Sequence, residues 1–277
     1  MSVAADLVVM IERLAQHLPP LRVRALHLPP AEAAGAKSGE FCALELDDGS
    51  LGLSYVLLDD TLARLVASSD SDGLVGAEAV AVARGFAGAE GVRRTLGFAA
   101  VNALTRSFFG RVGYLPEASA DSIGLLDPQP GDHIGMIGFF PPLVKRIVQA
   151  GVRLTVVELK PELAGELAGY RVTLDAGELA GCNKVLSTST VLLNDTLERM
   201  LASCRQAGYF AMIGPGAGCL PDPLFARGVT LMGGAWAVDT EGFRTALTAG
   251  MPWGRHARKF ALRRDDYPGF EALLGRL

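Results

Sequence analysis

Apolar positions in the first part of the chain predict one helix followed by three short strands. Apolar side chains recur every three or four residues between positions 4 and 18, a spacing typical of one buried helix face, and Pro19-Pro20 ends it. The strand candidates are residues 21–28, 40–46 and 51–57. Gly49 lies between the last two within Asp47-Asp48-Gly49-Ser50, which predicts a hairpin because Gly tolerates positive φ.

Residues 60–109 change to a helical pattern. The segment is rich in Ala and predicts two or three helices with breaks near residues 68–73 and 88–91. A helix, a group of strands and then further helices make a small α+β unit. We therefore predict an α+β domain over residues 1–112 and a linker over 113–132, where Gly, Pro, Asp and Ser are frequent.

From residue 133 onward, short apolar runs alternate with helical segments. The runs are residues 133–138, 153–158, 171–174, 184–187, 209–214 and 229–238. One intervening helix opens at Pro141-Pro142 and another at Asn194 or Asp195. Continuous apolar strands that alternate with helices indicate a parallel sheet covered on both faces. The predicted fold class is α/β, with a Rossmann-like, mostly parallel sheet over residues 133–277 after the smaller α+β domain.

Composition narrows the class of protein without naming a reaction. The chain has 277 residues, 49% of them apolar, and its 26 basic and 30 acidic residues give a net charge of −4. A mildly acidic surface disfavours nucleic acid and anionic membranes as partners, so we expect a small-molecule substrate. The first residues carry acidic side chains where a secretory signal would be basic and then apolar, so we predict a cytoplasmic protein.

The metal-ligating residue types are scattered. The four cysteines Cys42, Cys182, Cys204 and Cys219 show no CxxC pair, and the four histidines are isolated. Zinc and similar ions need three or four such ligands, usually with close pairs among them. We therefore expect no metal ion bound directly by the protein.

The ends of the predicted strands hold the candidate ligand residues, because open parallel sheets bind ligands beyond their carboxyl ends. Gly138-Phe139-Phe140 follows the first strand without a GxGxxG fingerprint, which disfavours an NAD(P)-linked oxidoreductase. Glu158 lies 20 residues after Gly138, at a spacing where an acid commonly binds a ribose. Asp175 follows the third strand, and Ser187-Thr188-Ser189-Thr190 closes the fourth.

This layout resembles the class I S-adenosylmethionine-binding fold. The resemblance implies S-adenosylmethionine as the cofactor, with Glu158 on its ribose and the end of the fourth strand facing the reacting group. The predicted cofactor-binding residues are Gly138, Phe139, Phe140, Glu158, Leu159, Asp175, Ser187, Thr188, Ser189, Thr190 and Asn194.

A second resemblance rests on longer motifs. The motifs are Thr188-Ser189-Thr190-Val191-Leu192-Leu193-Asn194-Asp195-Thr196-Leu197-Glu198, Gly214-Pro215, Pro221-Asp222-Pro223-Leu224-Phe225, Gly138-Phe139-Phe140-Pro141, Val157-Glu158, and Asn102 within residues 96–104. Together they resemble the uncharacterised family labelled "putative heavy-metal chelation". The resemblance implies an enolase-N-terminal-like α+β domain packed on a Rossmann-like domain, a ligand cleft between them, and a homodimer. Asn102, Gly214 and Pro215 are the predicted substrate-binding residues.

The chain departs from that family pattern at three places near the cleft. Where the family pattern has Thr-Gly-Thr-Thr, this chain has Thr188-Ser189-Thr190-Val191. Where the pattern has a Gly between Asn and Thr, this chain has Asp195. Where the family pattern has a Gly-Pro-Ser-Thr-Pro turn, this chain has Gly214-Pro215-Gly216-Ala217-Gly218. The change removes two hydroxyl side chains and lets a ligand approach the backbone more closely. These changes predict a divergent member with a different ligand.

Two classes of function lead at the level of sequence, and an NAD(P)-linked oxidoreductase is the disfavoured third alternative. The first is an enzyme that binds a nucleoside-containing ligand, with S-adenosylmethionine favoured, for methyl or aminobutyrate transfer or cyclisation in metallophore or specialised-metabolite synthesis. Sulfonium chemistry needs positioning more than acid–base groups, which agrees with the lack of a recognisable catalytic triad or carboxylate pair. The second is a non-catalytic protein that binds a metal or a metal chelate. No catalytic residue is predicted.

Overall fold

The computed structural model describes residues 2–33, 36–67, 73–119 and 125–277, which form a mixed α/β fold with two separate sheets. The helices are α1 Val3–Ala15, α2 Thr61–Val66, α3 Ala79–Ala83, α4 Gly85–Gly88, α5 Gly91–Arg111, α6 Pro141–Gln149, α7 Leu197–Ser203, α8 Asp222–Phe225, α9 Thr240–Thr248 and α10 Phe270–Leu274. The strands are β1 Val23–His27, β2 Phe41–Leu46, β3 Leu51–Tyr55, β4 Glu117–Ala118, β5 His133–Ile137, β6 Arg153–Val157, β7 Gly165–Leu167, β8 Tyr170–Thr173, β9 Lys184–Thr188, β10 Tyr209–Ile213, β11 Leu231–Ala237 and β12 Ala257–Arg263.

The smaller sheet is antiparallel, in the order β1-β2-β3. The predicted hairpin between β2 and β3 is confirmed: Gly49 has φ 84°, and the Leu46 N–H donates to the carbonyl of Ser50 at 2.9 Å. The helices that follow β3 cover one face of this sheet. The α+β character predicted for the first part of the chain is therefore confirmed.

The larger sheet has nine strands in the order β4-β12-β11-β10-β9-β5-β6-β8-β7. Its central strands β8, β6, β5, β9, β10 and β11 are parallel, in the 3-2-1-4-5-6 order of a Rossmann fold. The strand order reverses between β5 and β9, which makes that position the topological switch point of the sheet. The predicted Rossmann-like, mostly parallel sheet is confirmed.

Some local predictions are corrected. The helix expected from Asn194 or Asp195 begins only at Leu197, because Asp195 has φ 57° and cannot continue a right-handed helix. The sequence pattern did not reveal β4, β7 or β12, which join the sheet through antiparallel pairing. The predicted helix break at 68–73 and the predicted linker at 113–132 both extend into residues outside the described ranges. The domain boundaries stay predictions.

Helix α5 is the central element of the fold and is buried on nearly all sides. Fifteen of its 21 residues are buried, so its polar and apolar positions are not divided between two faces. Strand β3 approaches the helix backbone so closely that a Cβ atom on Gly52 would lie 2.0 Å from the carbonyl oxygen of Ala99. Only Gly fits this contact, and the close approach sets the distance between the small sheet and α5.

A buried carboxylate joins the small sheet to the C-terminal part of the chain. The side chain of Glu45 on β2 is 2% exposed and accepts hydrogen bonds from His27 at 2.7 Å and from Arg244 of α9 at 3.2 Å. Burial opposes the charge of Glu45, but these partners outweigh it and lower the pKa of the carboxyl group. The hairpin after β2 is thereby held against the start of α9.

No helix within the described ranges combines the length and the apolar character needed to cross a membrane.

We expect Gly52→Ala to lower the free energy of unfolding by about 3 kcal/mol, because the new methyl group overlaps backbone atoms of α5 that cannot move independently. Urea denaturation followed by circular dichroism measures this change. Gly208→Ala is the matched control, since a Cβ there meets nothing within 4 Å and should change stability by less than about 1 kcal/mol. Equal effects of the two substitutions would contradict the proposed close contact.

Candidate functional site

The turns after β5 and β9 meet at the switch point of the large sheet. Gly138 follows β5 with φ 85°, and a Cβ atom on it would lie 3.0 Å from Cγ2 of Thr188. The left-handed backbone and the close side chain both favour Gly at this position. The structure thus brings together two regions that the sequence assigned to one ligand site.

Glu158 lies beside the same turn, one residue after β6 ends. Its Oε2 accepts the backbone N–H of Phe139 at 3.0 Å, and its Oε1 accepts that of Leu159 at 2.7 Å. The carboxylate is therefore held in a fixed orientation, and each oxygen keeps a second lone pair for a further hydrogen bond.

Hydroxyl groups line the turn after β9. The Thr188 hydroxyl donates to Oγ1 of Thr190 at 3.0 Å and accepts the Thr190 N–H at 3.2 Å, so it caps the turn that follows. Ser189 is 5% exposed and packs against the turn after β10, where a Cβ on Gly214 would lie 2.5 Å from its Oγ. The turns after β9 and β10 therefore fit together only with Gly at position 214.

Helix α5 crosses the carboxyl ends of β9, β10 and β11. Arg94 donates to the Leu192 carbonyl and to Asp195 Oδ1, both at 2.9 Å, in the loop after β9. About two turns further along the helix, the Asn102 amide donates to the Gly216 carbonyl at 3.0 Å, in the loop after β10. The Arg106 guanidinium lies 4.9 Å from the ring centroid of Trp236 on β11. Helix α5 thus covers this edge of the sheet.

Asn102 also ties the small sheet to the large one. Its amide donates to the Leu53 carbonyl of β3 at 2.7 Å, while its Oδ1 is buried without a hydrogen-bond partner. The indole Nε1 of Trp236 is likewise buried and unpaired. Both atoms lie within 3.7 Å of the position that a Cβ on Gly218 would take. An acceptor and a donor therefore face the same glycine, an arrangement suited to a bridging water molecule.

Several predicted ligand residues lie away from this convergence or are already engaged. Asp175 is exposed and caps its own turn through the Gly177 N–H, and the Leu159 side chain is 59% exposed. Ser187 is fully buried and donates to the Thr188 carbonyl.

The remaining predicted residues lie nearer to the switch point. The Phe139 ring stacks on Tyr170 with centroids 6.4 Å apart, and Phe140 packs partly buried in the same apolar cluster. The Asn194 side chain accepts the Thr196 hydroxyl at 2.7 Å. Pro215 is half-buried in the loop after β10. The roles predicted for all these residues stay predictions.

Arg94 and Tyr55, which the sequence patterns did not single out, contribute to the same region. Tyr55, at the end of β3, is half-buried, and burial followed by the nearby carboxylates of Glu40 and Glu158 raises the pKa of its phenol. The available signal for Arg94 was its position just before the mostly apolar run of residues 96–104, because an arginine that is buried with such a run requires a partner.

Metal-ligating side chains do not converge in the part of the chain that the structure describes. No group of three or more His, Cys, Asp and Glu residues there could hold a metal ion. The four cysteines are buried and unpaired, and burial raises the pKa of the Cys42, Cys204 and Cys219 thiols to about 12. Thiolates that would attract a soft metal are therefore strongly disfavoured at these three positions.

Family comparison covers most of the chain. A family model described as "Putative heavy-metal chelation" matches residues 121–264, and a second model with the same description matches residues 38–105. No curated protein matches the chain.

Two solved structures of the same family share the fold. A protein of unknown function from Pyrococcus horikoshii is similar with a TM-score of 0.68 and 18% identity, over 93% of this chain and 99% of that one. A second, from Desulfitobacterium hafniense, has a TM-score of 0.67 and 19% identity, over 94% and 99% of the two chains. At these identities the likeness shows the fold alone.

Arg94→Met should lower the free energy of unfolding by about 2 kcal/mol, because Arg94 makes charge-assisted hydrogen bonds to the loop after β9 from a site where its side chain is 11% exposed. Amide exchange in residues 191–196 should also become faster. Asp195→Asn is the control: it keeps an acceptor oxygen and tolerates φ 57°, so we expect a loss below about 1 kcal/mol. Unchanged exchange in Arg94→Met would refute a role for Arg94 in holding this loop.

Proposed function

Because the chain belongs to the family described as "Putative heavy-metal chelation", we propose that it binds a metal ion already held in a small organic chelate. The binding site is the switch-point edge, formed by the turns after β5, β9 and β10 beneath α5. In this proposal the metal is cargo, and the protein contacts the organic ligand around it.

The convergence of the turn after β5 with the hydroxyl-lined turn after β9 carries this proposal. Hydroxyl groups both donate and accept hydrogen bonds, so Thr188 and Thr190 suit the carboxylate, amine and hydroxyl groups of a chelator. The described residues offer no three-ligand group for a bare ion. Gly138 and Gly214 let these turns pack directly against the side chains of Thr188 and Ser189, which brings the turns together at one edge of the sheet.

Native mass spectrometry with nickel citrate, nickel chloride and citrate alone tests the proposal. We expect a 1:1 complex with nickel citrate whose mass includes both nickel and citrate, and weaker retention of either component alone. Thr190→Val should weaken the complex about tenfold, because it removes one hydroxyl group at nearly constant shape.

The control variant is Thr245→Val, which makes the same change at an exposed position on α9 and should bind as the wild type does. Stoichiometric binding of nickel chloride without citrate would overturn the proposal in favour of direct ligation. Equal binding of citrate with and without nickel would also overturn it, since the chelate would then not be what is recognised.

A second candidate function is an enzyme that binds S-adenosylmethionine, and the position of Glu158 favours it. The carboxylate lies at the end of the second parallel strand beside the first turn, where Rossmann folds bind a ribose, and its oxygens retain free lone pairs. Methyl transfer, or aminobutyrate transfer or cyclisation, would then need this chain mainly to orient the ligand and exclude water.

Isothermal titration with S-adenosylmethionine and S-adenosylhomocysteine tests this second candidate. We expect binding that Glu158→Gln weakens about tenfold, since the substitution replaces a charged acceptor of ribose hydroxyl groups with a neutral one. Glu162→Gln, an exposed neighbour, is the control. Absence of binding at millimolar ligand would remove the candidate.

A further inference from the structure

A cavity of about 380 Å³ opens at the end of β11, further along α5 than the switch point. Its walls come from three elements: the β2–β3 hairpin, the last turns of α5, and the junction of β11 with α9. The lining residues include Asp48, Arg106, Ser107, Gly110, Arg111 and Thr240. This volume is sufficient for a small ligand.

Arg106 is the unusual member of this wall. Its guanidinium lies over the Trp236 ring, and no carboxylate among the described residues pairs with it. Burial lowers the pKa of Arg106, against the weaker attraction of Asp48. A partly buried charge without a counter-ion costs free energy that a bound anion would recover. Gly110, one turn on, leaves room beside it, since a Cβ there would lie 3.3 Å from Nη1.

The acidic residue of the cavity, Asp48, is already engaged in hydrogen bonds and an ion pair with its neighbours. Asp48 accepts the Ser107 hydroxyl at 2.5 Å and the Ser50 N–H at 2.9 Å, and Arg111 lies 3.6 Å from its Oδ2. These contacts lower the pKa of Asp48 although burial alone would raise it. Because Arg111 offsets the charge of Asp48, the charge of Arg106 leaves the cavity with a net positive charge.

We propose that this cavity is a separate binding site for a small molecule carrying a carboxylate or phosphate group, with Arg106 as the residue that contacts the anion. The guanidinium presents parallel N–H groups that match two oxygens of either group. The Thr240 hydroxyl lies in the same wall and suits a remaining oxygen, whereas the Ser107 hydroxyl already donates to Asp48. The buried contact between Glu45 and Arg244 holds the hairpin wall in place against α9.

Titration calorimetry with inorganic phosphate and with succinate, at constant ionic strength adjusted with sodium chloride, tests this site and separates the two anion chemistries. We expect 1:1 binding of at least one of them and a change in Trp236 fluorescence, because the indole lies against Arg106. Phosphate binding without succinate binding assigns a phosphate-bearing ligand, and the converse assigns a carboxylate.

Variants of α5 identify the responsible residue. Arg106→Met should weaken binding at least tenfold, and Arg106→Lys, which keeps the charge but loses the paired N–H groups, severalfold. Arg93→Met removes the same charge from an exposed position of the same helix and should bind as the wild type does. If Arg106→Met does not fold, the affinity of Arg106→Lys for the anion tests whether Arg106 contacts it.

Absence of binding by both anions, or wild-type affinity in the folded Arg106 variants, would overturn the site. Thr190→Val should leave phosphate and succinate binding unchanged. Absence of nickel citrate binding in the wild-type protein, with binding of phosphate or succinate retained, would count against the chelate proposal and leave the anion site standing.

Discussion

The burial of α5 between two sheets is the constraint on which the rest of the structure depends. Strand β3 approaches one side of the helix closely enough to exclude any side chain at Gly52, while the loops after β9 and β10 contact it from the large sheet. A helix enclosed in this way has few positions for polar side chains. Arg94, Asn102 and Arg106 each contact another element from this helix.

The two proposed sites lie along the same helix. Asn102, which contacts the loop after β10, and Arg106 of the cavity are four residues apart, so about 6 Å of helix axis separates these two residues. The first region consists of backbone turns, hydroxyl groups and the Glu158 carboxylate, whereas the second carries a surplus positive charge. Helix α5 contacts both regions. One helix therefore positions two chemically different surfaces, which favours recognition of two distinct ligand groups.

The fold could be predicted from sequence because its signals are local. Most of the parallel strands are short apolar runs, and several are followed by Gly or a polar residue, as at Gly138 and Glu158; these features do not depend on distant partners. Strand β12 lacked such a signal, since its charged residues alternate only in part with buried ones and its place is set by pairing with β11. Asp195 misled the helix prediction because Asp usually starts helices, whereas here it adopts φ 57° and pairs with Arg94. The cavity around Arg106 depends on three segments far apart in sequence, which no local pattern records.

The small strand β4 affects how the chain can assemble. Residues 117–118 come directly after the first helical region, yet they pair only with β12 and thus wait for residues 257–263 to be made. Arg258 adds a hydrogen bond to the Pro116 carbonyl at 3.0 Å across the same junction. The segment between the two parts of the molecule is therefore held by a strand about 140 residues further along the sequence. Long-range pairing of this kind slows folding, so residues 117–118 cannot reach their final surroundings during synthesis until residues 257–263 have emerged.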